Sequence, residues 1–279
     1  MSTLTLHAPA KLNLSLRVLG PRADGFHEID TIMVKLPGLT DQLVFEAATG
    51  FSFHCDESGV PSDERNLVVK AVRAYAAAAG ISCHYAITLT KSIPHGAGLG
   101  GGSSDAATTL LGLDQLHDGR LGLLRLHELA CTLGSDVPFF LAPGAASCKG
   151  RGELIEPLPS PPMLRVLLLK PWFGVPTPDA YGRWQNSREL PGVCYAAQEI
   201  AGVSLVNDLE RPVFSKHRFL AELKQWLLDR QETTAALLCG SGSAVCAVLA
   251  ADADAEALAK CARHDLDPGL WHWTGNTNR

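Results

Sequence analysis

Between Gly96 and Gly102 five of seven residues are glycine, a density that few folded segments tolerate. Glycine loses more conformational freedom on folding than any other residue, so such a run is costly unless the backbone must approach another group closely. A plain turn asks for one or two glycines. The full run is Pro94-His95-Gly96-Ala97-Gly98-Leu99-Gly100-Gly101-Gly102-Ser103-Ser104, placed between a strand-like segment at Tyr85–Ile93 and a helical one at Ser103–Leu116. At the start of a helix the unpaired N–H groups and the dipole favour an anion, and a backbone without side chains can close around phosphate.

Three kinds of phosphate loop compete for this run. A Walker A loop carries Lys after its final glycine, whereas here Gly101 is followed by Gly102 and Ser103. Gly96-Ala97-Gly98-Leu99-Gly100-Gly101 fits the G-x-G-x-x-G fingerprint of an NAD(P)-dependent oxidoreductase, with Asp118 near the expected acidic position, although that acid should close a second strand and Asp118 follows a helix. The third is a kinase loop that takes its charged groups from elsewhere in the chain, and Lys11 and Asp136 are available for that. A nucleotide-binding protein without catalysis is a further reading.

The rest of the chain frames the loop. Leu12, Leu14, Leu16 and Val18 alternate with Lys11, Asn13, Ser15 and Arg17, the period of a half-buried strand on which Lys11 and Asn13 point the same way. Strands are expected at Asp30–Leu36 and Asp41–Glu46, and helices at Asn66–Ala79 and Leu121–Leu133. Four prolines in the six residues 157–162 mark a connection, giving an expected N-terminal domain of 1–156 and a C-terminal domain of 163–279. Within the latter, a strand at Leu164–Lys170, helices near Thr177–Trp184 and Lys216–Leu228, a hairpin at Thr234–Ala250 turning at Gly240-Ser241-Gly242, a helix at Ala253–Arg263 and a strand near Leu270–Thr274 predict a split β-α-β unit.

Composition narrows the partners. A net charge of −5 without any basic block removes the usual electrostatic footprint for nucleic acid or anionic membrane. The first residues lack a signal-peptide pattern and the apolar runs are too short to span a bilayer, so a soluble, cytoplasmic protein acting on a small molecule is expected. The eight cysteines are scattered without ligand spacing, which predicts buried or inert thiols and neither zinc nor a disulfide framework.

Pro94-x-Gly-Ala-Gly-Leu-Gly-Gly-Gly-Ser-Ser104 resembles the second signature of the GHMP kinases, Pro9-Ala10-Lys11-Leu12-Asn13-Leu14 the first, and Leu238-Cys239-Gly240-Ser241-Gly242-Ser243-Ala244 the third. Ala10–Leu14, Asp24-Gly25-Phe26-His27-Glu28-Ile29-Asp30-Thr31 and Gly134-Ser135-Asp136-Val137-Pro138-Phe139, joined by Val206-Asn207-Asp208-Leu209-Glu210, resemble those members of the superfamily that phosphorylate the 2-hydroxyl of a methylerythritol carrying a cytidine diphosphate moiety, in non-mevalonate isoprenoid synthesis. The resemblance spans residues 9 to 244, nearly the whole chain. Phe26 departs from it, standing where Tyr is expected; an aromatic face is kept and a phenol hydroxyl is lost.

The resemblance implies a two-domain α+β GHMP kinase fold, with an N-terminal ribosomal-protein-S5-like α/β domain, a C-terminal ferredoxin-like split β-α-β domain and the active site in the cleft between them. By position Asp136 serves as well for a helix cap as for catalysis, and Lys11 reads as a solvated lysine. The resemblance makes Asp136 the base that takes the proton of the acceptor hydroxyl, and Lys11 its electrostatic partner. Pro94, His95, Gly96, Ala97, Gly98, Leu99, Gly100, Gly101, Gly102, Ser103 and Ser104 would bind ATP. Asn13, Phe26, His27, Thr177 and Tyr181 would bind the acceptor, the aromatic rings stacking on its base. ATP is the expected co-substrate, with Mg2+ arriving on it rather than in a protein cage, and the state expected is monomer or weak homodimer.

Overall fold

The computed structural model describes residues 3–277. The chain divides into two compact units, the first made of Met1–Ala10, Leu39–His95 and Gly100–Pro143, the second of Lys11–Gly38, Gly96–Leu99 and Gly144–Arg279. Two long strands, β1 (Leu4–Pro21) and β2 (His27–Ala47), contribute residues to both. The proline-rich run lies in the second unit, where residues 158–164 form neither helix nor strand.

In the first unit β3 (Ser52–Cys55) pairs in parallel with β4 (Tyr85–Thr90), and β4 pairs antiparallel with the end of β2, from Gln42 opposite Thr90 to Ala47 opposite Tyr85. The described helices of this unit are α1 (Leu67–Ala79), α2 (Gly101–Leu116), α3 (Gly122–Leu133) and α4 (Val137–Leu141). Asn66 caps α1 by accepting the Val68 N–H at 2.8 Å, and left-handed Gly80 ends it. The buried face of α1, Val68, Val69, Ala71, Val72 and Tyr75, repeats at helical spacing. Asp114 near the end of α2 accepts the Tyr75 hydroxyl at 3.1 Å and the Leu121 N–H at 2.8 Å, so one carboxylate ties α1, α2 and the start of α3.

In the second unit the start of β2 pairs antiparallel with β5 (Ala146–Gly150), and β5 with β6 (Leu154–Pro157). The end of β1 pairs in parallel with β9 (Val203–Asn207), Ser15 opposite Val206, and β9 pairs antiparallel with β8 (Gln198–Ile200). A separate four-stranded sheet has the order β10 (Thr233–Leu238), β11 (Val245–Leu249), β7 (Arg165–Lys170), β12 (Trp271–Asn276), antiparallel throughout. With α5 (Thr177–Trp184), α6 (Glu210–Lys216), α7 (Arg218–Leu228) and α8 (Ala255–Asp265) this is the expected split β-α-β arrangement. Its core joins Leu167 and Leu169 of β7 to Leu220, Leu223 and Leu227 of α7 and Leu258 of α8.

Some local expectations are corrected. Asp30–Leu36 and Asp41–Glu46 belong to one strand, which continues through Pro37-Gly38; a Cβ at Gly38 would stand 3.2 Å from the Trp273 ring, so the glycine marks a close packing point and not a break. The helix expected from Lys216 starts at Arg218, after a separate α6 and a non-helical His217. β1 is not half-buried along its length: every residue from Ala10 to Leu14 is buried, Lys11 and Asn13 included, at 4% and 3% exposure. The elements that periodicity did not predict, β3, α4, β5, β6, β8, β9 and α6, are three to seven residues each, too short for a period to show. Among the described residues no helix is long and apolar enough to cross a membrane.

Gly112 on α2 lies against the sheet of the first unit: a Cβ there would stand 2.8 Å from Phe45 and 2.9 Å from Leu6. Gly112→Ala is therefore expected to destabilise by about 1–3 kcal/mol despite the better helix propensity of alanine, read as a lower urea midpoint at unchanged m-value.

Candidate active site

In the second unit the two glycine turns meet backbone to backbone. The Ser243 N–H donates to Gly96 O at 2.9 Å and the Ala244 N–H to Ala97 O at 3.1 Å. Gly98, with φ of 76°, leaves so little room that a Cβ would fall 1.8 Å from Cys239 O. Only glycine fits there, and this accounts for part of the glycine density.

Lys11 reaches the same place from β1. Its N–H donates to Leu99 O at 2.9 Å, and its Nζ lies 3.1 Å from where a Cβ on Gly240 would be. The ammonium donates to Asn13 Oδ1 at 2.6 Å, Asn13 Nδ2 to Thr31 Oγ1 at 2.8 Å, and Thr31 Oγ1 to Ser15 O at 2.6 Å. This relay fixes the direction of a buried cation, and its last side chain, Thr31, comes from the Asp24–Thr31 motif. Asn13 is thus engaged at both ends of its amide.

The Gly240–Gly242 turn has its own support. Asn207 Nδ2 donates to Leu238 O at 2.8 Å and Gly240 O at 2.7 Å, while Glu210 Oε1 accepts the Leu238 N–H at 2.9 Å. Burial pushes the Glu210 carboxyl up, and Lys224, bonded to it at 2.7 Å with both side chains at most 2% exposed, pulls it down. The sequence reading treated Val206–Glu210 only as a joining segment; Asn207, Glu210 and Lys224 carry no pattern that shows which turn they hold.

The aromatic candidates also fall within the second unit. Asp24 Oδ1 accepts the Phe26 N–H at 3.1 Å and Arg22 N–H donates to Phe26 O at 2.8 Å, a tight turn that presents Phe26 at 45% exposure with Arg151 stacked 4.9 Å from the ring centroid. The His27 ring lies 5.3 Å from Tyr181 and 6.1 Å from Trp184. Thr177 bonds through its hydroxyl to Ser241 at 2.9 Å, which links α5 to the Gly240–Gly242 turn. Trp184 was not anticipated; it packs with Tyr181 on Leu16, Val18, Ile29 and Leu209.

The first unit carries Pro94 and His95, Gly100 to Ser104, and Asp136. Gly100 is left-handed and precedes α2, and the Ser104 N–H donates to Gly100 O at 2.9 Å. Ser103 is half-buried, whereas Ser104 is fully buried and its Oγ makes no hydrogen bond, an unusual state for a buried hydroxyl. Asp136 directly precedes α4 without capping it. Asp118 lies between α2 and α3, not at the end of a strand. Among the described residues the eight cysteines are free, and no group of three His, Cys, Asp or Glu side chains could hold a metal.

A family model, GHMP kinases N terminal domain, matches residues 66–144. A 4-diphosphocytidyl-2-C-methyl-D-erythritol kinase of Methylacidiphilum infernorum is 38% identical over 275 residues, covering 95% of this chain and 93% of the relative. The chain belongs to that kinase family. A second member, from Caldanaerobacter subterraneus subsp. tengcongensis, is 37% identical, with 94% and 92% covered. A crystal structure of 4-(cytidine 5'-diphospho)-2C-methyl-D-erythritol kinase aligns with a TM-score of 0.77 at 35% identity, covering 98% of both chains. A homoserine kinase from Cytophaga hutchinsonii, 17% identical with a TM-score of 0.66 over 100% of this chain and 95% of its own, shares the fold. The chain is a GHMP-fold, ATP-dependent kinase.

Asn207→Leu strands two buried carbonyls, so it is expected to cost about 2–4 kcal/mol and to lower kcat more than it raises either KM. Denaturant unfolding with steady-state kinetics checks both.

Proposed function

We propose that the enzyme transfers the γ-phosphoryl group of ATP to the 2-hydroxyl of 4-diphosphocytidyl-2-C-methyl-D-erythritol, giving the 2-phosphate and ADP in non-mevalonate isoprenoid synthesis. The names of its relatives support the acceptor. The observation that carries the phosphate site is Gly102. It is exposed in the first turn of α2, has no positive φ, and a Cβ there would meet nothing closer than Leu67 at 3.8 Å. Nothing within the protein asks for glycine at that position; a ligand lying against the backbone does.

Phosphoryl transfer needs positioning and charge stabilisation more than reactive groups. Asp136 accepts the proton of the 2-hydroxyl as its oxygen attacks the γ-phosphorus and the bond to the β-bridging oxygen breaks, releasing ADP. Lys11, its ammonium aimed by Asn13 and Thr31, stabilises negative charge that develops in the transition state. The backbone from Pro94 to Gly102 with Ser103 holds the ATP phosphates. Ser104 Oγ, buried without a partner, fits a phosphate oxygen or the Mg2+ carried by ATP, which neutralises phosphate charge when bound. Phe26 and Tyr181 offer faces for cytosine, His27 a hydrogen bond to its polar edge, and Asn13 and Thr177 polar contacts to the acceptor.

Gly102→Ala is expected to raise stability by about 0.5–1 kcal/mol, as alanine does within a helix, while raising the KM for ATP at least tenfold. Unchanged ATP kinetics in this variant overturn the loop assignment. Asp136→Asn is expected to lower kcat by roughly 10²–10⁴ and Lys11→Met by roughly 10²–10³ at nearly unchanged KM; an Asp136→Asn enzyme as active as the parent removes the base. ADP release with homoserine or mevalonate but not with the cytidylyl acceptor would replace the substrate.

A further inference from the structure

Three charged side chains of the first unit have no part in the chemistry above. Lys91, directly after β4, donates from Nζ to Asp105 Oδ2 at 2.8 Å and to Asp41 Oδ2, with side-chain exposures of 9% for the lysine, 4% for Asp105 and 0% for Asp41. Asp41 also accepts, on Oδ1, the Ser92 N–H at 2.6 Å and the Ile93 N–H at 2.8 Å. Those are the last two amides before Pro94, where the glycine run begins, and Asp105 follows Ser104, where it ends. Lys91 therefore ties together the two ends of the run. Gly101 packs down on the tie: a Cβ there would lie 3.0 Å from Ile93 Cγ2 and 3.2 Å from Lys91 Nζ.

A buried cluster of two anions and one cation is one charge out of balance, and apolar side chains of the same volume often stabilise a fold as well or better. Stability alone is thus a weak reason for it. We propose that Asp41, Lys91 and Asp105 are positioning residues that set the span of the glycine loop for the ATP phosphates, and that protonation of Asp105 loosens this hold. The proposal rests on reading the loop as the ATP cradle.

The electrostatics agree with the geometry. Burial pushes the Asp105 carboxyl up to about 7, with Lys91 pulling it down and Asp41 pushing it further up, both by its charge and by accepting a hydrogen bond from the protonated form. Its Oδ1 has no hydrogen-bond partner, so a proton there displaces no bond, while Oδ2 stays on Lys91. The other titratable groups facing the cluster come from the end of β3: the Cys55 thiol, itself pushed up by burial, and Asp56, which accepts the Lys91 N–H at 2.9 Å. Above about pH 7 the ionised Asp105 carboxylate pairs with Lys91; below it Asp105 is neutral, and the α2 end of the tie is weaker.

The test is the KM for ATP from pH 6 to 8 in the full-length enzyme, with the KM for the acceptor as internal control. Each variant is compared with wild type at the same pH, which removes the titration of the nucleotide itself. Asp105→Asn keeps an oxygen for Lys91 but cannot ionise; its KM for ATP is expected to match wild type at pH 6 and to lack the improvement wild type shows at pH 8. Asp105→Leu offers Lys91 no acceptor, and its KM for ATP is expected to rise at least tenfold with the acceptor KM within twofold. If Asp105→Leu folds and its KM for ATP stays within twofold, or if Asp105→Asn tracks wild type across the range, the proposal is overturned. If Asp105→Leu fails to fold, the Asp105→Asn profile decides alone. Gly102→Ala separates the two layers: an unchanged KM for ATP there removes the loop reading and the tie's role with it, whereas a raised one alongside normal Asp105 variants removes only the tie.

Discussion

The contact on which the site depends is the one between Gly98 and Cys239 O. Two stretches of backbone far apart in sequence approach so closely that no side chain fits between them, and main-chain bonds from Ser243 and Ala244 to Gly96 and Ala97 lock the approach. Lys11 is placed by the same contact, since its own N–H is bonded to Leu99 O. A buried ammonium is expensive to leave undirected, and the Asn13–Thr31–Ser15 relay gives it direction. Asn207, Glu210 and Lys224 then brace the opposite turn. The close approach at Gly98 thus sets where the Lys11 backbone sits, and the relay sets which way its charge faces.

Much of this was legible in the sequence because the signals were of the right kind. Glycine density, a helix following a strand, and the split β-α-β order all have local physical causes, and the helices of ten or more residues came out close to where periodicity put them. The ordered motifs identified the family, which the comparisons bear out. Pattern alone misjudged Lys11: alternation along β1 gave it a polar face toward solvent, whereas the chain covers both faces of the strand from Ala10 to Leu14. Burial of a second face is a tertiary event that a two-residue period cannot report.

What stayed hidden was pairing. Asp41, Lys91 and Asp105 are spread over β2, the residue after β4, and α2, and each looks like an ordinary surface charge until the fold brings them together. Asn207 and Glu210 were visible as part of a motif, yet their partners are the backbone groups of Leu238 and Gly240, which no side-chain pattern announces. Short elements such as α4, which begins just after Asp136, and β9, which carries Asn207, escaped for a different reason, having too few residues to show a repeat.

Neither compact unit is a continuous piece of chain, because β1 and β2 give residues to both. During synthesis the first unit has all its residues once Pro143 has emerged, but the second does not: Ser15 must wait for Val206 before its strand has a partner on that side. Lys11 lies in that waiting segment. A single cut in the chain therefore cannot separate the two units, and Lys11 lies on a strand that gives residues to both.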